Sequence, residues 1–323
     1  TESNMKPFRF AVMGAGNISN RFCDAVSRLD GCEVVAVASK SMERARAFAG
    51  KNYLSAAYGS YEEMLKEQKP DCVYIGVVTG AHYELTGLCL DYRVPVLCEK
   101  AMFMNSAQAG EIFTRAGEQG TFVMEAMWSR FLPAVKKVRE WIQEGRIGQV
   151  RYCDTAIGFQ APADKNNRYF SAALGGGAAY DITVYACELT TFMLGQDVVE
   201  SRESVIWADT GVDLTEHITF RYPETVAAMT TTFAAPMEEK MVLIGDRGRI
   251  VLPRPHCSAE AFLYDGEGKL TEHFQDEVTE NGFVYQAAEV MECVRAGKLE
   301  SSVVPWDCTL FCAELFDRIL ATK

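Results

Sequence analysis

Residues 8–13 (FRFAVM) form a short apolar run that stops at Gly14-Ala15-Gly16, and from Asn17 to Leu29 apolar residues recur at helical spacing (Ile18, Phe22, Val26, Leu29). This pattern predicts a strand, a tight turn and a helix. A second run, residues 33–38 (EVVAVA), follows Asp30-Gly31, and residues 41–49 read as a helix opened by a serine cap. Residues 72–78 and 94–98 are near-continuous apolar strands separated by a helical stretch at 82–90, and residues 122–126 add one more strand. Strands that are apolar on both faces and alternate with helices predict a doubly wound parallel sheet covered on both sides.

Beyond residue 127 the rhythm changes. Residues 133–144 form an amphipathic helix closed by Gly145, after which the strands alternate between apolar and polar positions: 150–159, 204–208, 217–222, 226–233, 241–244, 249–252 and 261–264. That spacing predicts an open, mostly antiparallel sheet. Residues 177–194 are helical between the first two of these strands, and helices at 283–296 and 306–321 finish the chain. The expected fold class is therefore α/β: a parallel domain over residues 1–126, then an α+β domain with a large open sheet over residues 127–323.

Composition narrows the class further. The 323 residues suit two domains, and 48% hydrophobic with 24% charged residues is ordinary for a globular protein. The 32 basic and 44 acidic side chains leave a net charge of −12, a field that repels nucleic-acid phosphates and anionic lipid, so neither is an expected partner. Eleven cysteines, an odd number scattered singly, fit reduced thiols better than a disulfide framework or zinc site. No apolar run nears the ~20 residues of a membrane span, and the start TESNMKPF lacks a signal peptide's apolar stretch. A cytoplasmic location is expected. The four histidines show no metal-ligand spacing, and no GxSxG nucleophile elbow occurs.

The chemistry begins at Gly14-Ala15-Gly16-Asn17-Ile18-Ser19, which sits after a strand and opens a helix. Gly14 permits the tight turn and Gly16 lets backbone approach a pyrophosphate at the helix start; Asn17 and Ile18 supply the first turn, and Ser19 is small enough for the third glycine position. The first domain is thus expected to be a dinucleotide-binding Rossmann domain. An NAD site usually places a carboxylate at the end of the second strand, whereas this chain has Ser39-Lys40-Ser41 and Arg44 there. Two cations and two hydroxyls suit a 2′-phosphate, which favours NADP over NAD. Cys98-Glu99-Lys100 ends another apolar strand, so Lys100 stands where open α/β sheets bind ligands. In the second half, Gly175-Gly176-Gly177 leads into a helix on which Asp181 and Tyr185, at i and i+4, share a face.

GAGNIS, VTGAHYEL, CEKAM, EAMWSRFLPA and GGGAAYDITVY, in this order over nearly the whole chain, resemble the Gfo/Idh/MocA oxidoreductases. The likeness is greatest to the branch of dimeric dihydrodiol dehydrogenases and NADP-dependent D-xylose dehydrogenases, to which EAMWSRFLPA and Tyr185 point. The resemblance implies a substrate-binding second domain whose open sheet makes a homodimer or higher oligomer. It implies that Lys100 contacts the substrate hydroxyl and the nicotinamide region, that Tyr185 is the acid/base and Asp181 its companion, and that His82 and Glu99 belong to the cofactor site. Trp128, Arg130, Phe159 and Arg168 lie in segments that the family places around the substrate. Ala101 departs from the family, which usually has Pro after the lysine.

These residue types suit oxidation of a secondary alcohol. Tyrosine has an unperturbed pKa of about 10, too high for a base at neutrality, and a nearby ammonium such as that of Lys100 lowers it by favouring phenolate. The expected function is hydride transfer between NADP and a sugar, polyol or cyclic diol. Two other readings share the motifs: a cofactor-binding regulator without catalysis, and a glycosidase that uses resident NAD. Retention of both Lys100 and Tyr185 argues against the first, and a 2′-phosphate site against the second.

Overall fold

The computed structural model describes residues 5–323, so the first four residues of the opening stretch TESNMKPF lie outside the described residues. The chain divides by internal packing into two compact units. One comprises Thr1–Phe103, Ala107–Trp128 and Asn281–Thr309; the other comprises Met104–Ser106, Ser129–Glu280 and Leu310–Lys323.

The first unit is wound from β1 (Phe8–Met13), α1 (Asn17–Ser27), β2 (Cys32–Ala38), α2 (Met42–Asn52), β3 (Ala56–Tyr58), α3 (Tyr61–Gln68), β4 (Cys72–Ile75), α4 (His82–Asp91), β5 (Val96–Glu99), α5 (Ser106–Gln119) and β6 (Val123–Ala126). Its six strands lie in the order β3-β2-β1-β4-β5-β6, all parallel. The strand order reverses between β1 and β4, which is where a dinucleotide crosses such a sheet. β4, β5 and β6 are buried at every position, as strands covered on both faces must be. Phe22 of α1 stacks on Tyr74 of β4 at 4.0 Å and 4°, fixing the first helix over the switch point. Ser41 and Ser60 cap α2 and α3, each accepting a backbone N–H at 3.2 Å.

The second unit runs through α6 (Pro133–Gln143), β7 (Val150–Gly158), a π-helical turn (Ala179–Thr183), α7 (Val184–Leu194), β8 (Glu200–Trp207), β9 (Asp213–Arg221), β10 (Val226–Thr232), β11 (Lys240–Gly245), β12 (Gly248–Pro253), β13 (Glu260–Asp265) and β14 (Leu270–Gln275). Its eight strands follow the order β14-β13-β12-β11-β7-β10-β9-β8. All pairs are antiparallel except β7 with β10. α6 and α7 cover one face of this sheet. Trp141 of α6 is fully buried there and donates its indole N–H to Glu272 at 3.0 Å. The opposite face carries Tyr152, Ile206, Val226 and Ile244, all exposed.

The chain then returns to the first unit through α8 (Val284–Arg295) and the start of α9 (Trp306–Leu320). α8 packs on α1, and Asn281 donates to the Arg21 carbonyl at 3.0 Å and the Asp24 carboxylate at 2.8 Å. On the edge of β6, Leu299 accepts the Val123 N–H at 3.3 Å and the Trp306 indole N–H donates to the Val123 carbonyl at 2.9 Å, while Trp306 also stacks on Phe113. A cut between residues 126 and 127 leaves this return out.

Candidate active site

Gly14 has φ +106°, and a Cβ there would land on the carbonyl of Gly76, so the turn closes against the end of β4 only because Gly14 has no side chain. Ser19 is fully buried beneath Gly76, which is why its position tolerates only a small residue. Gly16 is the N-cap of α1, without a side-chain cap and with no acidic residue in the first turn. A Cβ at Gly16 would meet nothing within 4 Å. The helix therefore presents its first N–H groups, from the Asn17 and Ile18 end, to open space, a place that suits an anion. At the end of β2, Ser39 is buried and accepts the Ser41 N–H at 3.3 Å, while Lys40 and Arg44 are exposed.

The step carrying Lys100 is braced from three sides. Glu99 is buried and accepts the Tyr74 hydroxyl at 2.6 Å. Burial pushes the Glu99 carboxyl up to about 6, against the Tyr74 hydrogen bond and the neighbouring Lys100 charge, which favour ionisation. His82 has no exposed surface; Nδ1 lies 2.7 Å from the Ala101 carbonyl and Nε2 2.9 Å from the Val77 carbonyl. Burial holds its pKa below the usual histidine range, and a neutral ring can donate to only one of these two acceptors. His82, which the resemblance assigns to the cofactor site, is turned inward and ties the loop after β4 to the loop after β5. Glu125, which the sequence reading did not single out, accepts the Met102 N–H at 2.9 Å and the Thr309 hydroxyl at 3.1 Å. Its signal was an acid at the end of an apolar strand, in MEA.

In the second unit, Gly177 has φ +108°, and a Cβ there would strike the Asp213 carboxylate. Asp213 accepts the Ala179 N–H at 2.6 Å and so opens the π-turn. Asp181 is half-buried on that turn, and Tyr185, 8% exposed, is in the first turn of α7 with its ring centroid 5.2 Å from that of His256. The single α-helical face expected for Asp181 and Tyr185 is replaced by a wider turn before the helix narrows.

The four expected substrate residues fall into two kinds. Phe159 is half-buried beside Tyr169 and Phe233, and Arg168 is exposed with its guanidinium 4.2 Å from the Tyr169 ring, so these two share one aromatic cluster. Trp128 packs inside the first unit edge-on to the Phe283 ring, and the Arg21 guanidinium lies 4.6 Å from the Trp128 ring and 4.3 Å from the Phe283 ring. Arg130 is buried in the second unit, donating to the Glu188 carbonyl and the Thr191 hydroxyl, each at 3.0 Å. Its visible role is to hold α7.

Residues 8–127 match the family model described as "Oxidoreductase family, NAD-binding Rossmann fold", and residues 135–251 match the GFO/IDH/MocA C-terminal domain. Trans-1,2-dihydrobenzene-1,2-diol dehydrogenase of Mus musculus is 32% identical over 319 residues, covering 96% of this chain and 95% of that protein. KijD10, a 3-ketoreductase from Actinomadura kijaniata solved with NADP and TDP-benzene, superposes with a TM-score of 0.85 at 22% identity, over 97% of both chains. The aldose-aldose oxidoreductase of Caulobacter crescentus, solved with glycerol, gives 0.86 at 19% identity over 98% of both.

Proposed function

Since the chain belongs to the Gfo/Idh/MocA oxidoreductase family, we propose that it is an NADP-preferring dehydrogenase or reductase acting on a secondary alcohol or carbonyl of a sugar, polyol or cyclic diol. The observation that carries the reading is the uncapped start of α1 behind Gly14 and Gly16, with Ser39, Lys40 and Arg44 at the end of the next strand. Those residues fit a dinucleotide: the N–H groups of Gly16, Asn17 and Ile18 suit its pyrophosphate, and the hydroxyl and two cations suit a 2′-phosphate. NADP bound to KijD10 and the diol named for the mouse relative support the same choice. The nicotinamide would supply the hydride acceptor or donor.

Tyr185 moves the proton at the substrate oxygen, and Lys100 offers an ammonium that favours both phenolate and developing alkoxide. Asp181 orients the substrate, and His82, Glu99 and Glu125 keep the lysine-bearing loop in place. Phe159 and Arg168 give an aromatic face and a guanidinium suited to a hydroxylated ring, while Trp128 packs within the first unit and Arg130 holds α7 in the second. NADPH consumption with a panel of ketoses, aldoses and dicarbonyls, and NADP reduction with pentoses and dihydrodiols, tests this assignment; no turnover with either panel rejects it. The Lys40→Ala/Arg44→Ala double variant is expected to raise the KM for NADP about 10- to 100-fold, the size of one or two lost charge-assisted hydrogen bonds, and to leave NAD use nearly unchanged. Equal losses with both cofactors would reject 2′-phosphate recognition.

The exposed apolar sheet face supports a homodimer formed through the second unit. Light scattering should give twice the mass of one chain, and Ile244→Glu should lower it to that of one.

A further inference from the structure

Beneath the π-turn lie two buried acids that the proposed chemistry does not use. Asp213 is 4% exposed and Glu216 has no exposed surface, both near the start of β9. Asp213 accepts the N–H of Ala179, the first residue of the turn, at 2.6 Å. Glu216 accepts the Thr231 hydroxyl at 3.3 Å, and that hydroxyl lies 2.7 Å from the hydroxyl of Thr183, the last residue of the turn. The two acids thus grip both ends of a five-residue segment that contains Asp181 and delivers the chain to Tyr185.

So dry a place disfavours a second charge beside the first. Burial, then the neighbouring Asp213, pushes the Glu216 carboxyl well above the usual range. That shift favours the protonated form of Glu216 beside Asp213, which takes the Ala179 N–H. The surrounding groups leave this balance in place. Tyr180 on the turn is a buried phenol, and it lies in the field of Asp213 and of Asp317 on α9. Glu203 on β8 is paired with Arg318 at 2.8 Å, and the Lys323 ammonium is held by the Gly211 carbonyl at 2.8 Å.

We propose that Asp213 and Glu216 are the positioning device of the acid/base helix, holding the two ends of the π-turn and through it the placement of Asp181 and Tyr185. The proposal rests on the reading of Tyr185 given above. Glu216→Gln keeps a donor for Asp213 and an acceptor for Thr231, whereas Glu216→Ala removes both. The Gln protein is expected to hold kcat within about threefold of the native value, and the Ala protein to lose about 10- to 100-fold with little change in the KM for NADP, the cost of a misplaced group. Amide exchange read by mass spectrometry should show residues 179–185 protected in the native and Gln proteins and unprotected in the Ala protein. Native-like kcat and protection in the Ala protein would overturn the proposal, and so would a Gln protein as damaged as the Ala protein. If the Ala protein does not fold, Thr231→Val removes the hydroxyl that joins Glu216 to Thr183 while both acids stay in place, and kcat should fall about three- to tenfold; an unchanged kcat would overturn the link.

Heat stability gives a measure that needs no substrate. A carboxyl whose folded-state pKa is raised contributes its full stability below the unfolded pKa and loses it as pH climbs through the folded value. The Gln protein lacks that dependence, so its Tm relative to that of the native protein should rise as the pH is raised above the ordinary carboxylate range. A gap that does not change with pH counts against the protonated form of Glu216. Exchange and melting data as expected in a protein that turns over nothing would reject only the enzyme reading; turnover without them would reject only the positioning pair.

Discussion

Tyr185→Phe and Lys100→Met are each expected to cut turnover about 10²- to 10⁴-fold, the usual worth of a positioned proton-transfer group, with NADPH still bound. Phe keeps the ring that packs against His256 and deletes only the hydroxyl. Met keeps most of the length of Lys100 and deletes the charge, while the His82 and Glu125 braces act on the neighbouring backbone at Ala101 and Met102. Quenching of protein fluorescence by NADPH measures binding, and single-turnover rates measure the chemistry. Native-like turnover in both variants would end the assignment of these two residues; loss of NADPH binding along with activity would mean that the fold of the site, rather than its chemistry, had been damaged.

Gly14→Ala is expected to be the most damaging change at the cofactor turn. Alanine at φ +106° is strained, and its methyl would collide with the Gly76 carbonyl. Strain and overpacking together should cost about 2–5 kcal/mol, seen as a fall in Tm and in the denaturant midpoint, with NADPH binding lost. Gly16→Ala separates stability from binding. Its φ of −94° accepts alanine and its Cβ points into open space, so the melting temperature should stay near the native one while NADPH affinity falls about tenfold or more, because the added methyl intrudes where a pyrophosphate would approach. A normal affinity in Gly16→Ala would place the phosphate elsewhere.

The sequence was most legible where one physical signal dominated. The bounds expected for β1 match those observed, because an apolar hexapeptide ended by a glycine turn leaves little freedom. β3, α3, α5 and β14 were not anticipated. β3 has three residues, too few for a period, and β14 is a largely polar edge strand without the apolar alternation that marks its neighbours. α3 buries only Met64 and Leu65. The parallel pairing of β7 with β10 is set by tertiary order, to which strand alternation is blind. At the site, Gly14 and Lys100 could be picked out because glycine geometry and strand-end position have local signatures, whereas the role expected of Tyr185 came from the family resemblance. His82, Glu125 and Glu216 act through backbone carbonyls, amides and hydroxyls distant in sequence, so only coordinates disclose what they hold.

The return of residues 281–309 to the first unit bears on how the protein is made. A ribosome releases the nucleotide-binding half first, yet the cover for α1 and the bond that caps the edge of β6 come from the last seventh of the chain. That half waits, with an apolar flank and a strand edge open, until synthesis is nearly complete, and a shortened chain ending before α8 would carry both as sites for aggregation.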